Sequence, residues 1–282
     1  MGKADLHIHS TASDGMLGIP ELFEKIKEKG LETVSITDHD TIDGLEEAFL
    51  VAGKYSIDLL PGVELTARWN EREVHLLGYA FDPADESFLS LIARQKRARK
   101  QRMKKIVEML KGEGLDIEYD EIRAAAGRAN MGRPHAARIL VKKGFVASVP
   151  EAFIRYLSSE RIKKVQTEYA EAEEIIHTVS RAGGVVSVAH PGRIYTNEEL
   201  KELLSLKPDG IECIHPSHTF TQQKFYSGLA KELNLLITGG SDYHGSAKSG
   251  YDPFLGIVTL GQQHLDSIRR ASENKRSFYG KK

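Results

Sequence analysis

Hydrophobic and polar positions along this chain follow two alternating periods. Short apolar runs rich in β-branched residues alternate with longer segments in which apolar residues recur at helical spacing. Thr33–Thr37 is a run of the first kind, and Pro20–Lys29 is a helical segment with proline at its start and Gly30 after its end. Strands that alternate with helices predict right-handed βαβ units and a mainly parallel sheet or barrel. The predicted fold class is therefore α/β.

This alternation covers the two ends of the chain. The predicted strands are Ala4–Ile8, Thr33–Thr37, Asp58–Leu65, Glu73–Tyr79, Val185–Ala189, Gly210–Ile214, Leu235–Thr238 and a late strand near Gly256–Leu260. The predicted helices among them are Pro20–Lys29, Gly44–Lys54, Ala170–Ala182, Asn197–Leu206 and Gln222–Leu233. The polar segment Ala67–Arg72 is expected to separate the third strand from the fourth.

The middle of the chain has almost no strand signal. Its predicted helices are Phe88–Lys111, Tyr119–Ala126, Pro134–Lys143 and Pro150–Leu157. We interpret residues 86–167 as a helical insertion domain that divides one α/β domain into a first half, residues 1–85, and a second half, residues 168–282.

Composition narrows the class of protein. The 282 residues are 40% hydrophobic and 28% charged, which is enough apolar surface for a core and argues against disorder. A net charge of −1 argues against a chain that binds nucleic acid through its overall charge. The single cysteine, Cys213, excludes an internal disulfide and cysteine-rich zinc motifs. Since no secretory signal and no long apolar run is visible, we expect a cytoplasmic protein with no membrane partner.

The histidines stand out, because there are eleven of them. His7 and His9 form an H-x-H pair on the first predicted strand, where residues two apart point to the same face. Further histidines and carboxylates fall at or just beyond other strand ends, where parallel α/β folds gather their sites. These residues are Asp14, His39, Glu64, His75, His190, Asp242 and His244.

Each of these residues alone has an ordinary explanation, because a histidine or aspartate after a strand often caps a turn or is satisfied in a core. Their recurrence at most strand ends favours a metal site. Imidazole and carboxylate without thiolate suit Zn, Mn or Fe. Nine ligands are too many for one tetrahedral ion, so we expect two or three divalent ions that share a bridging carboxylate.

The full set of motifs resembles the PHP (polymerase and histidinol phosphatase) metallophosphoesterases over about residues 4–80 and 184–245. The resemblance implies a distorted (β/α)7 barrel with the helical segment as an insertion. It also implies three sets of ligands, with Glu64 shared between two of them. These sets are His7, His9, Glu64 and Asp242; Asp14, His39 and His244; and Glu64, His75 and His190.

The segment from Gly132 to Leu157 resembles one branch of this family, whose members act on nucleoside 3′,5′-bisphosphates and on the 5′ ends of short RNA (the RNase AM type). The resemblance implies a small phosphorylated substrate, a nucleotide, with short RNA as the second candidate. Histidinol-phosphate phosphatase, a zinc hydrolase that cuts C–N bonds, and a nucleic-acid-binding module with a structural metal site are the alternatives. The oligomeric state stays open.

The donor set predicts phosphate hydrolysis. Two or three divalent ions exceed the charge of their carboxylates and favour an anionic substrate. Water whose pKa they lower supplies hydroxide for in-line attack on phosphorus. Arg133 and Arg193 are candidate phosphate-binding residues, because guanidinium binds phosphate in a bidentate manner. His218 is a candidate for substrate contact. The alternative interpretation is that Arg133 and Arg193 are ordinary surface arginines and that His218 is an ordinary loop histidine.

Residues 94–105 carry eight cations and no acid. A solvated helix face is one interpretation, and a grip on an oligonucleotide backbone, with steep salt dependence, is the other. His135, His177 and His264 carry no predicted role, and Cys213 is expected in the core.

Overall fold

The computed structural model describes residues 3–165, 167–245 and 252–280, without the side chains of Arg193 and Asp252. Its strands are β1 (Ala4–Ile8), β2 (Thr33–Ile36), β3 (Asp58–Leu59), β4 (Gly62–Trp69), β5 (Arg72–Tyr79), β6 (Val185–Val188), β7 (Gly210–Ile214) and β8 (Leu236–Gly239).

The α-helices alternate with the strands at both ends of the chain and stand alone in its middle. They are α1 (Ile19–Glu28), α2 (Leu45–Tyr55), α3 (Glu86–Gly112), α4 (Tyr119–Ala126), α5 (Arg133–Lys142), α6 (Val149–Ala152), α7 (Ser159–Ile162), α8 (Ala172–Arg181), α9 (Asn197–Leu204), α10 (Phe220–Glu232) and α11 (Gln262–Tyr279). A π-helical turn, Phe153–Leu157, follows α6, and 3-10 turns cover Pro191–Arg193 and Asp252–Phe254.

The strands form two sheets. One has the order β1-β2-β3 and is parallel, and the other has the order β4-β5-β6-β7-β8. In the second sheet β5 is antiparallel to both neighbours, whereas β6, β7 and β8 are parallel. Isolated bridges link the sheets, between Ile8 and Tyr243 and between His39 and Glu64. The α/β class is confirmed, and the (β/α)7 barrel stays a prediction.

The predicted strand pattern was wrong in several details. The predicted strand Asp58–Leu65 is divided at Pro61, which separates β3 from β4. The predicted polar segment Ala67–Arg72 lies largely inside a hairpin, because Asn70 and Glu71 both adopt positive φ, at 45° and 59°. A two-residue turn of that kind matches the twist of paired strands. In the predicted late strand near Gly256–Leu260, Leu260 alone forms a β-bridge, and its partner is Ala4.

The apolar core is divided in the same way as the sequence pattern. A large cluster packs the sheets against α1, α2 and α8 and includes Leu22, Val34 and Ile175. A separate cluster lies within the middle segment and includes Ile106 and Leu140. A third cluster, which includes Leu6, Leu77 and Leu265, packs the strands against α11. The separate cluster of the middle segment agrees with a helical insertion, although the proposed boundaries stay a prediction.

None of the described helices is long and apolar enough to span a bilayer.

Candidate metal centre

Strands and the loops after them bring the predicted ligands to one place, although Glu64 and His75 lie inside β4 and β5 and not at the predicted strand ends. His7 and His9 lie at the end of β1, fully or almost fully buried, and their rings lie 5.2 Å apart. The bridge between His39 and Glu64 brings the loop after β2 against β4. His75 on β5 and His190 after β6 follow, with a distance of 3.3 Å between His75 Nδ1 and His190 Nε2. The sheet topology therefore assembles residues that are far apart in sequence.

Glu64 is the centre of this cluster. Its Oε1 lies 2.8 Å from His75 Nδ1 and 2.9 Å from His190 Nε2. Its Oε2 faces the ring nitrogens of three more histidines at 3.1 to 3.4 Å. These histidines are His7, His9 and His39. One buried carboxylate thus faces five imidazoles with its two oxygens divided between them, which is the geometry that a bridging ligand requires.

Two aspartates complete the cluster. Asp14 Oδ1 lies 3.3 Å from His244 Nε2, and Asp14 Oδ2 lies 3.9 Å from His39 Nε2. Asp242 Oδ1 lies 3.3 Å from His9 Nε2 and 3.4 Å from His244 Nδ1. All nine predicted ligands are thereby brought together. Sets of ligand atoms close enough to share an ion are His9, Asp14, His39 and His244; His7, His9 and Asp242; and His39, Glu64 and His75.

The donors fit divalent cations. His7 Nε2, His9 Nε2 and His39 Nδ1 are buried within 3.5 Å of carboxylate oxygens, yet among the described residues they make no aligned hydrogen bond. Such groups cost stability unless a ligand completes them. Burial acts to raise the pKa of Glu64, but the surrounding histidines hold this pKa well below its usual range. The carboxylate is therefore ionised, as a metal ligand must be.

The backbone is strained at two of the ligands. His190 has φ of 27° and Asp242 has φ of 50°. Residues other than glycine adopt positive φ at a cost, and such strain concentrates at functional sites. At His190 the strain is held by a hydrogen bond of 2.6 Å that its backbone N–H donates to Glu212 Oε2.

Glu212 is a site residue that sequence reasoning missed. Its other oxygen accepts a hydrogen bond of 2.9 Å from His7 Nδ1, which leaves His7 Nε2 facing the cluster. Burial acts to raise the pKa of Glu212, but His7 and His215 hold it at about 2. The available signal was an acid in the otherwise apolar strand β7. His215 was missed too, and its Nε2 lies 3.6 Å from Asp242 Oδ2.

The acids on either side of His39 support the loops. Asp38 accepts hydrogen bonds from the Ser10 N–H at 2.9 Å and from the Ser13 hydroxyl at 2.5 Å. Asp40 accepts them from the N–H and the hydroxyl of Thr66, at 2.7 and 2.8 Å. Only His39 of this motif therefore faces the cluster.

The middle segment of the chain contacts the same loops. The Asn130 side chain donates a hydrogen bond of 2.8 Å to the His39 carbonyl, and the Asn130 N–H donates one of 2.8 Å to the Ala12 carbonyl. Arg138 donates to the Asp14 carbonyl at 3.2 Å. The helical segment thus holds two loops that carry predicted ligands.

A cavity of about 110 Å³, here called the site cavity, opens on the cluster. Its lining combines predicted ligands with arginines and aromatic rings. Its lining residues are Asp14, His39, Glu64, Thr66, Glu73, His75, Arg99, Arg102, Arg133, Pro134, Phe153, Tyr169, His190 and Asp242.

Arg133 is the arginine of this cavity that keeps its charge available. It donates a hydrogen bond of 3.1 Å to the Leu157 carbonyl and lies over the Phe153 ring, 5.6 Å from its centre. Among the described residues it has no carboxylate partner. Burial and the neighbouring Arg102 lower the pKa of Arg133 to about 10, so it stays charged at neutral pH.

The other two predicted substrate residues are Arg193 and His218. The Arg193 side chain lies outside the described residues, so its predicted role stays a prediction. His218 lies after β7 and packs against the loop after β6: its Nε2 accepts a hydrogen bond of 3.1 Å from the Gly192 N–H, and its Nδ1 lies 3.1 Å from the Cys213 carbonyl. His218 does not line the site cavity, and its predicted substrate contact stays a prediction.

The basic run 94–105 lies on α3 and does not form a single surface. Arg99 is buried against Asp40 at 2.7 Å, and Arg102 is buried against Glu73 at 2.5 Å. Arg94 and Lys96 pair with acids elsewhere on the surface, whereas Arg97 and Lys100 are exposed. The two interpretations from the sequence, a solvated face and a grip on an oligonucleotide, both treat the run as one surface. In the structure some of its cations are buried in ion pairs and others are exposed.

Comparison with known proteins agrees with this geometry. The family model described as PHP domain matches residues 5–207. A 5′-3′ exoribonuclease of Haemophilus influenzae is 35% identical over 247 residues, covering 86% of this chain and 90% of the relative. A 3′,5′-nucleoside bisphosphate phosphatase of Chromobacterium violaceum is 30% identical over 258 residues, covering 89% of this chain and 90% of the relative.

Solved structures have the same architecture. A candidate metal-dependent phosphoesterase of Bifidobacterium adolescentis superposes with a TM-score of 0.85 at 32% identity, covering 95% of this chain and 96% of that one. An amidohydrolase of Chromobacterium violaceum with bound sulfate and no metal superposes with a TM-score of 0.78 at 26% identity, covering 91% of this chain and 97% of that one.

Proposed function

Since the chain belongs to the PHP domain family and is a metal-dependent phosphoesterase of that family, we propose that it hydrolyses a phosphate ester of nucleoside 3′,5′-bisphosphates or of the 5′ ends of short RNA. The observation that carries the proposal is the position of Glu64, whose two oxygens face five imidazoles beside a cavity lined by arginines.

Two or three divalent ions, Mn, Zn or Fe, are the cofactors in this proposal. His7, His9, Glu64 and Asp242 would hold one ion; Asp14, His39 and His244 a second; and Glu64, His75 and His190 a third. The short distances add His9 to the second set and His39 to the third. When bound, such ions lower the pKa of a coordinated water and neutralise charge on the phosphoryl group.

The chain's own residues bind and orient the substrate in this proposal. Arg133 binds a phosphate group with a guanidinium that lines the cavity, is half-buried and has no carboxylate partner among the described residues. Glu212 fixes the ring of His7 through Nδ1, so that Nε2 is held toward the cluster.

The nucleotide substrate is supported by the activities for which the two relatives are named and by the arginines of the middle segment. A phosphatase that releases inorganic phosphate and an exonuclease that shortens RNA both cleave next to a terminal nucleotide phosphate. Histidinol phosphate ranks lower, since it offers one phosphate to a site with several arginines.

The finer architecture belongs to the same proposal. Residues 1–85 and 168–282 form the two halves of a distorted (β/α)7 barrel, and residues 86–167 form a helical insertion domain. The bridges between the two sheets and the separate apolar cluster of the middle segment support this division.

A substrate panel tests the proposal. Mn-loaded protein is offered a nucleoside 3′,5′-bisphosphate, histidinol phosphate, a short 5′-phosphorylated RNA and a set of amides. We expect turnover of the bisphosphate or the RNA to exceed turnover of the others. Preferred hydrolysis of histidinol phosphate or of an amide would overturn the substrate assignment, and the ratio of phosphate release to RNA shortening distinguishes phosphatase from exonuclease.

A further inference from the structure

A buried phenol, Tyr169, lines the site cavity and has no role in the proposed function. Only 4% of Tyr169 is exposed, and the residue lies shortly before α8. Its hydroxyl is buried and makes no hydrogen bond to any described residue. The phenol therefore presents a polar atom without a partner inside the cavity that holds Glu64 and Arg133.

The groups near this hydroxyl already have partners. Asp40 accepts from Arg99, and Glu73 accepts from Arg102, so neither carboxylate needs the phenol. A buried hydroxyl without a partner destabilises a fold, which indicates that a ligand atom completes it. Burial raises the pKa of Tyr169 to about 12, against the opposing effect of Arg99 and Arg102. The phenol is thus protonated at neutral pH and acts as a donor.

The size and charge of the cavity indicate which kind of group accepts a hydrogen bond from the Tyr169 hydroxyl. At about 110 Å³ it is smaller than the range of about 300–1,000 Å³ that is usual for small-molecule sites, so it takes a compact group. Arg133 adds a cation without a carboxylate partner among the described residues. A compact anion with several acceptor oxygens fits both conditions, and a phosphoryl group is such an anion.

We propose that the Tyr169 hydroxyl donates a hydrogen bond to an oxygen of the phosphoryl group that enters the site cavity. This inference rests on the proposed function, because that group belongs to the substrate. Tyr169 is then a substrate-binding residue that is not itself one of the predicted metal ligands. It contributes to phosphate affinity and leaves the metal ligands unchanged.

The test compares Y169F with Y119F. The Tyr119 hydroxyl is also buried without a hydrogen-bond partner among the described residues, but Tyr119 lies on α4 beside Lys104 and does not line the site cavity. Binding of inorganic phosphate to the Mn-loaded proteins is measured by calorimetry, together with KM for a nucleoside 3′,5′-bisphosphate. Loss of a hydrogen bond to a charged acceptor should weaken phosphate binding about tenfold or more in Y169F. Y119F should bind phosphate like the wild type.

Two further measurements make the outcome decisive. Metal content of Y169F should match that of the wild type, and its thermal midpoint should be equal or higher, because the substitution removes a buried hydroxyl that lacks a partner among the described residues. If Y169F bound phosphate as tightly as the wild type, the inference would be overturned, and water would be the only hydrogen-bond partner of the Tyr169 hydroxyl. If the wild type fails on nucleotide and RNA substrates but hydrolyses another phosphate ester, the proposed function fails. Calorimetry with inorganic phosphate still tests Tyr169 in that case.

Discussion

At the scale of single residues, Glu64 explains why nine scattered side chains act as one site. Oε1 faces the histidines of β5 and of the loop after β6, and Oε2 faces those that end β1 and β2. A neutral side chain at this position would remove the carboxylate that faces all five imidazoles, while Asp14, Asp242 and Glu212 would still face His7, His9 and His39. Glu64 therefore links the histidines of the two sheets.

Glu212 carries the first prediction. E212Q keeps the size of the side chain but weakens the hydrogen bond that orients His7 Nδ1. Loss of such an orienting partner typically costs about 10- to 100-fold in metal affinity or activity. We expect a loss of this size, measured by metal titration and by phosphate release, while E24Q on the exposed side of α1 stays at the wild-type level. Unchanged metal affinity and turnover in E212Q would contradict the orienting role.

Arg133 carries the second prediction. R133A should raise KM for a nucleoside 3′,5′-bisphosphate far more than KM for a simple aryl phosphate, because the guanidinium contacts a phosphate that the aryl ester lacks. Steady-state kinetics on both substrates measure the difference, with R97A on the exposed side of α3 as the control. Equal effects on the two substrates would count against the assignment.

At the scale of elements, α3 connects the middle segment to the site. Its buried face brings Arg99 to Asp40 and Arg102 to Glu73, and Gln95 donates to the Thr66 carbonyl at 2.5 Å. Asp40 in turn holds Thr66, close to Glu64 on β4. The helix therefore supports the strand that carries the central carboxylate.

The third prediction follows from this packing. R99A leaves Asp40 buried without its cation, and breaking a buried pair in this way costs about 3–5 kcal/mol of unfolding free energy. Urea unfolding of the protein measures the loss. R97A removes an exposed arginine of the same helix and should change stability by less than about 0.5 kcal/mol. Similar stability of the two variants would refute the structural role of the Arg99–Asp40 pair.

Sequence patterns predicted most elements because their cause is local. The period of apolar residues located α3, α4 and α8 to within about two residues at each end. The hairpin of β4 and β5 was missed because its turn uses Asn70 and Glu71, a pair that lacks the usual glycine. Partners of the α3 cations could not be predicted, since Asp40 and Glu73 are distant in sequence.

At the scale of the whole molecule, topology explains which site residues the sequence could reveal. Most of the predicted ligands could be found from residue type and position near a strand end, because parallel strands place their carboxyl ends together. Glu64 and His75 lie instead inside the antiparallel strands β4 and β5, so strand ends alone do not explain their place in the cluster. Glu212 and Tyr169 were not predictable in this way. Their roles depend on which atoms they meet across the two sheets and the middle segment, and neither forms a motif with its sequence neighbours.

The most direct test of the central claim is phosphate release from a nucleoside 3′,5′-bisphosphate before and after metal removal. The chain gathers eight further imidazole and carboxylate side chains around Glu64, and the proposed chemistry requires the ions that these nine residues would hold. Protein depleted with a chelator and dialysed should lose more than about 100-fold of its activity, and added Mn²⁺ should restore it. Metal-depleted protein that kept full phosphatase activity would contradict the account.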